Sequence, residues 1–185
     1  YAQARNTTTG CVSATRTPVV ATVNALPTAG ITNTTGTTVL TCSTTSISVT
    51  ATGGTSYSWD NGLGNDANAT ISAYGSYIVT VTDANSCTST QSITITQDIA
   101  APSAPTAGSN SRCGTGVVAI SATPASGSTV DWYAAATGGS ALSSGSNSFT
   151  TPSITTTTTY YAQARNTTTG CVSATRTPVV ATVNA

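Results

Sequence analysis

The chain has 185 residues, a formal net charge of +0, and only 5% charged residues, all of them Arg or Asp. Neutrality gives it no electrostatic hold on nucleic acid or an anionic membrane, and no apolar run approaches the roughly 20 residues of a membrane span. Without His, Lys or Glu, general acid–base chemistry would fall to Asp alone, so neither an enzyme nor a cofactor is expected.

Residues 1–25 read YAQARNTTTGCVSATRTPVVATVNA, and the same letters return without a substitution at 161–185, an offset of 160 residues. Perfect identity implies a recent or continually homogenised tandem repeat. The chain therefore reads as one 160-residue period plus an overlap, a window of a longer polymer with no initiator Met or signal peptide of its own. On this reading residues 1–25 are the closing hairpin of a preceding module, to be ordered only where a neighbour completes it.

Thr and Ser dominate, and Thr is β-branched: it favours strands, with its hydroxyl towards water and its methyl against neighbours. A Pro-marked linker, ALPTAG, opens a first module over 26–100. Period-2 alternation then predicts strands at 46–51 (SISVTA), 56–60 (SYSWD), 76–83 (SYIVTVTD) and 92–97 (SITITQ). A second linker, IAAPSAPTAG, leads into a module over 101–185. Its predicted strands are 117–122 (VVAISA), 129–133 (TVDWY), 157–164 (TTTYYAQA) and 177–183 (TPVVATV). No stretch has a helical period. The expected fold is all-β: tandem immunoglobulin-like β-sandwich modules.

The two series share a template. Cys42 is followed by Trp59, Tyr77 and Cys87, and Cys113 by Trp132, Tyr161 and Cys171, with the same Tyr-to-Cys spacing of ten. Trp59, Tyr77, Trp132 and Tyr161 are the expected core aromatics, because a small sandwich needs a large central side chain to fill it. Cys11 is Cys171 one period earlier, leaving four independent cysteines. With no His and no CxxC pair they read as disulfides of an oxidising, extracellular compartment rather than a zinc site. Pairing within modules, Cys42–Cys87 and Cys113–Cys171, is the simplest assignment. Strand parity opposes it, since those sites fall at opposite poles of an up-and-down sandwich; bridges between adjacent modules, such as Cys42–Cys171, stay open.

Asp60 and Asp66 lie in the oxygen-rich segment WDNGLGNDANAT and are the only calcium candidates. The Asn61–Gly62 turn signal favours a polar loop, and no metal site is expected. Asn6, Asn33, Asn68 and Asn166 head N-x-[ST] sequons, which arise readily in a Thr-rich chain.

SYSWDNG followed by ISAYGSYIVTVTDANSCTSTQSITIT resembles the repeat of SprB-like gliding-motility adhesins. The second module, with its WYAAATGG segment, TTYYAQA strand and closing RTPVVATV strand, resembles the Ig-like domain of the same giant Bacteroidota surface proteins. The resemblance implies a secreted, cell-surface, very long multidomain protein acting in adhesion and surface motility, and it carries over no catalytic or ligand residue. The expected function is a structural repeat of an adhesin filament or stalk, its partners being neighbouring identical repeats. Two alternatives remain: a module gripping an extracellular glycan or other surface through avidity, and a fibre subunit polymerising by strand addition.

Overall fold

The computed structural model describes residues 1–185, which form fourteen strands and no helix. In chain order these are β1 (Gly30–Asn33), β2 (Val39–Thr41), β3 (Ile47–Thr52), β4 (Ser56–Trp59), β5 (Asn68–Ile71), β6 (Gly75–Thr82) and β7 (Thr88–Asp98). They continue as β8 (Thr106–Gly108), β9 (Asn110–Cys113), β10 (Ala119–Thr123), β11 (Ser128–Tyr133), β12 (Ser148–Thr150), β13 (Thr158–Asn166) and β14 (Thr177–Asn184).

The first seven strands build a three-stranded sheet, β1-β3-β5, and a four-stranded sheet, β2-β7-β6-β4. The last seven repeat that plan strand for strand as β8-β10-β12 and β9-β14-β13-β11. Every pairing is antiparallel except β2 with β7 and β9 with β14. In each unit the two sheets enclose one core. Ile47, Val49 and Ile71 meet Trp59, Val79, Val81 and Ile95 in the first; Val118 and Ile120 meet Val130, Trp132, Val179 and Ala181 in the second. Alternation produces this directly: β3 buries Ile47, Val49 and Ala51 and turns Ser48 and Thr52 to solvent. Each large aliphatic side chain removed from water contributes about 1.5–3 kcal/mol.

All eight predicted strands are present, with shifted ends, as β3, β4, β6, β7, β10, β11, β13 and β14. The six further strands, β1, β2, β5, β8, β9 and β12, have three or four residues each and carry too little alternation to stand out from turns.

The register corrects the core tyrosine of the second module. Trp59 opposes Val79 and Trp132 opposes Ala162, so the counterpart of Tyr77 is Tyr160 rather than Tyr161. Tyr160 is buried against Phe149, at 5.2 Å between ring centroids, and Phe149 stacks on Trp132 at 5.6 Å. Tyr161 is only half-buried, on the outer face. Equal Tyr-to-Cys spacing misleads because the loop that closes on Cys171 has one residue more than the loop that closes on Cys87. Asn166 N–H reaches the Cys171 carbonyl where Asp83 N–H reaches that of Cys87. A one-residue shift exchanges the faces of a strand. Trp59, Tyr77 and Trp132 are buried, and both indole N–H groups donate to loop carbonyls, of Asp66 at 3.0 Å and Ser146 at 2.8 Å.

The duplicated 25 residues take two different states. In the copy at 161–185, Val179 is fully buried and Val180 half-buried. In the copy at 1–25, Val19 is 65% and Val20 84% exposed, and only the bridges Ala2↔Thr17 and Arg5↔Val12 remain of the hairpin. The Asn6 side chain still closes its turn on Thr8 and Thr9, as Asn166 does on Thr168 and Thr169. The turn is therefore local in origin, whereas burial of the strand requires the rest of a sandwich.

Candidate functional site

The feature that joins the two sandwiches is a disulfide between Cys42 and Cys171, 129 residues apart in sequence with Cα atoms 5.0 Å apart. This overturns the favoured within-module pairing: Cys87 and Cys113 are thiols, as is Cys11. Strand directions explain why. Cys42 follows Thr41, which pairs with Asp98 at the end of β7, whereas Cys87 immediately precedes β7. About 3.3 Å per residue along β7 separates them by some 30 Å, far beyond the roughly 7 Å that a disulfide spans. Likewise Cys113 pairs with Asn184 at the end of β14, and Cys171 lies in the turn before β14 begins.

The same directions bring Cys42 and Cys171 together. Strand β7 ends at the pole from which residues 99–105 lead into the second sandwich. The β13–β14 turn lies at the receiving pole, where Thr177 Oγ1 donates to the Pro105 carbonyl at 2.6 Å. Beside the disulfide, Ser43 donates its amide N–H at 3.0 Å and its Oγ at 3.1 Å to the carbonyl of Thr169. The backbones approach closely there, because a Cβ on Gly170 would lie 2.9 Å from the Ser43 Cβ, and Gly170 has a φ of +72°. Glycine meets both demands. A crevice of about 430 Å³ runs alongside, lined by Thr37, Val39, Thr41, Thr44 and Asp98 from one sandwich and Thr168 and Thr169 from the other.

The remaining polar clusters brace loops. Asp60 Oδ1 accepts from Ile78 N–H at 2.9 Å and from the Asn61 amide at 3.2 Å, while Asp66 offers its backbone carbonyl to Trp59. Asp60 and Asp66 thus fix a turn and a core indole; no group of three or more His, Cys, Asp or Glu side chains comes together anywhere in the structure. Asp131 is buried and gripped by Arg165 through Nε at 2.8 Å and Nη2 at 3.1 Å, with the Gly145 N–H at 3.0 Å. Burial pushes the Asp131 carboxyl up, but hydrogen bonds from Arg165 and Gly145 and the Arg165 charge outweigh it and hold the group below its ordinary 3.8. Those bonds and the carboxylate charge raise Arg165 in turn. Arg176 lies 3.3 Å over the Tyr133 ring and donates to the carbonyls of Ala135 and Gly138, pinning the WYAAATGG segment.

A second cleft, of about 620 Å³, lies on the first sandwich between the start of β6 and the end of β7. Tyr74, Thr94, Thr96, Gln97 and Ile99 line it, and Tyr74 is 70% exposed.

Residues 102–184 match the family model described as Ig-like domain CHU_C associated. The second sandwich is therefore Ig-like in sequence, a module type that in general is not catalytic. No curated protein sequence matches the chain. Solved structures similar to it include the fibronectin(III)-like modules of Clostridium thermocellum CbhA, at 16% identity over 84% of this chain and 94% of that one, TM-score 0.42. Others are murine CEACAM1b, at 9% identity over 85% and 100%, TM-score 0.40, and titin domains A168–A170, at 15% over 86% and 67%, TM-score 0.43.

Proposed function

We propose that this chain is a structural repeat of a long, secreted cell-surface filament or stalk that serves adhesion or gliding motility. The observation that carries the reading is the Cys42–Cys171 link between two sandwiches of identical strand order. A covalent bridge across the junction, reinforced by the Ser43–Thr169 contacts, resists bending of the module pair. The unbroken 25-residue repeat supports the extension of this pair into an array. The function then lies in reach and stiffness, and neutral, Thr-rich outer faces limit non-specific association through charge.

At about 3.3 Å per strand residue each sandwich is roughly 30–40 Å long, so a period of two should advance about 70–80 Å. Electron microscopy or small-angle scattering of the native polymer measures this directly. A repeat shorter than about 50 Å would exclude end-to-end stacking.

The cleft beside exposed Tyr74 favours a second reading, a module that binds an extracellular glycan by stacking a sugar ring on the phenol. Glycan-array binding by an isolated period, lost on Tyr74→Ala, would support it; an array without hits would remove it.

A further inference from the structure

The four cysteines outside the duplicated N-terminal segment occupy two kinds of position, each found once in each sandwich. Cys42 and Cys113 stand at the end of the short strand that pairs in parallel with the last strand, at the exit pole. Cys113 lies one register position earlier than Cys42, directly opposite Asn184. Cys87 and Cys171 stand in the last hairpin turn, at the entry pole.

The two turns are built alike. Asp83 and Asn166 each accept the N–H two residues on, and each donates its own N–H to the carbonyl of the cysteine. The residue before the cysteine has a positive φ in both, 64° at Ser86 and 72° at Gly170. Entry poles are marked alike as well: Ser89 Oγ donates to the Pro27 carbonyl at 2.7 Å, as Thr177 Oγ1 does to that of Pro105.

Inside the chain the exit-pole cysteine of the first sandwich is bonded to the entry-pole cysteine of the second. That leaves one exit-pole thiol, Cys113, exposed at the far end, and one entry-pole thiol, Cys87, partly exposed at the near end. They cannot meet within one copy, because both sandwiches lie between them.

We infer that Cys113 forms a disulfide with Cys87 of the next copy of this chain, so that every junction of the array carries the same exit-to-entry bridge as Cys42–Cys171. The linker lengths are comparable: seven residues, 99–105, separate β7 from β8, and five residues, 25–29, would lie between β1 and a preceding copy's β14, whose last residue Asn184 repeats Asn24. Cys11, the duplicate of Cys171, is by the same rule the entry-pole cysteine of a preceding sandwich, awaiting a residue equivalent to Cys42. The scheme therefore assigns a partner to every cysteine. Forming the bridge passes two electrons and the two thiol protons to a disulfide oxidant such as glutathione disulfide, which is released as two thiols.

The two junctions are not identical. Ser43 N–H crosses to Thr169, whereas Gly114 N–H is already held by Asn184 of its own sandwich at 2.9 Å. The junction between copies thus relies more on its disulfide and is the more flexible one when reduced.

The inference rests on the array reading above, and its test separates the two. A chain of two consecutive 160-residue periods is oxidised with glutathione disulfide, alkylated and digested without reduction. The expected product joins Cys113 of the first period to Cys87 of the second, while Cys87 of the first and Cys113 of the second are alkylated. Cys87→Ser in the second period alone should leave the first Cys113 fully alkylated, and the same change in the first period should alter nothing. Complete alkylation of both thiols at the shared junction, or linkage of either to another cysteine, overturns the bridge. It does so whether or not scattering from the same material shows modules in line, which is the separate criterion for the array.

Discussion

Ser43 and Thr169 come from different sandwiches, yet the Ser43 amide N–H and hydroxyl both donate to the Thr169 carbonyl, next to the Cys42–Cys171 bridge. Two hydrogen bonds at about 0.5–1.5 kcal/mol each cannot by themselves hold two folded domains in one orientation. The disulfide makes them effective by keeping the partners together. Reduction, or Cys42→Ser, should therefore broaden the distribution of inter-module distances in small-angle scattering. Each sandwich keeps its own core, so the loss of stability should be far smaller than the roughly 4–5 kcal/mol of a long-loop bridge in a single cooperative unit, and the melting temperature should move little. A large drop in melting temperature with unchanged scattering would contradict this assignment.

The Asp131–Arg165 pair predicts a second effect. The Asp131 carboxyl is buried while the Arg165 side chain is 36% exposed, so truncation to Arg165→Ala leaves an uncompensated interior charge. The cost should be about 2–3 kcal/mol, below the 3–5 kcal/mol of a fully buried pair because solvent screens the guanidinium. Denaturant titration of the wild-type chain and of Arg165→Ala measures it.

The same pair sets a pH dependence. A carboxyl held below its ordinary value stabilises the fold fully above that value and loses the contribution as pH falls through the depressed folded one. The pair's contribution to stability should thus be constant at neutral pH and fall away as the pH drops through and below 3.8. Arg165→Ala should flatten that acid limb; an unchanged limb would assign it to another group.

Tyr160 and Tyr161 give a fourth test, since adjacent residues of one strand face opposite ways. Tyr160→Ala removes a buried ring packed on Phe149 and should cost about 3–5 kcal/mol. Tyr161→Ala should cost less than about 1 kcal/mol. Burial also raises the Tyr160 phenol above its ordinary 10.0, so alkaline spectrophotometric titration should show a late-ionising tyrosine that Tyr160→Phe abolishes.

The duplicated segment supplies an internal control without any mutation. Amides of residues 179–183 sit in the β14 ladder, and their counterparts at 19–23 carry the same side chains with no strand partner. Hydrogen exchange should be slow at the first set and near the unprotected rate at the second. Equal protection would mean that residues 1–25 pair with another copy in solution.

Much of this architecture was legible in the letters. Alternation in 46–51, 76–83 and 177–183 located the long strands, because a half-buried strand writes its period of two into the sequence. The Cys–Trp–Tyr–Cys order disclosed two related modules, and Asn6 and Asn166 specify their turns through contacts a few residues away. By contrast, spacing alone leaves Cys42 open between Cys87 and Cys171 and puts Tyr161 in the place of Tyr160. Both ambiguities have one source. Spacing along a chain does not say at which pole a residue ends or on which face it lands. Here those outcomes depend on β2 and β9, strands of three and four residues that run parallel to the last strand of each sandwich, and on one extra turn residue before Cys171. Local chemistry determined the strands and turns; only the assembled sheets, through strand direction and register, decided which cysteines meet and which tyrosine is buried.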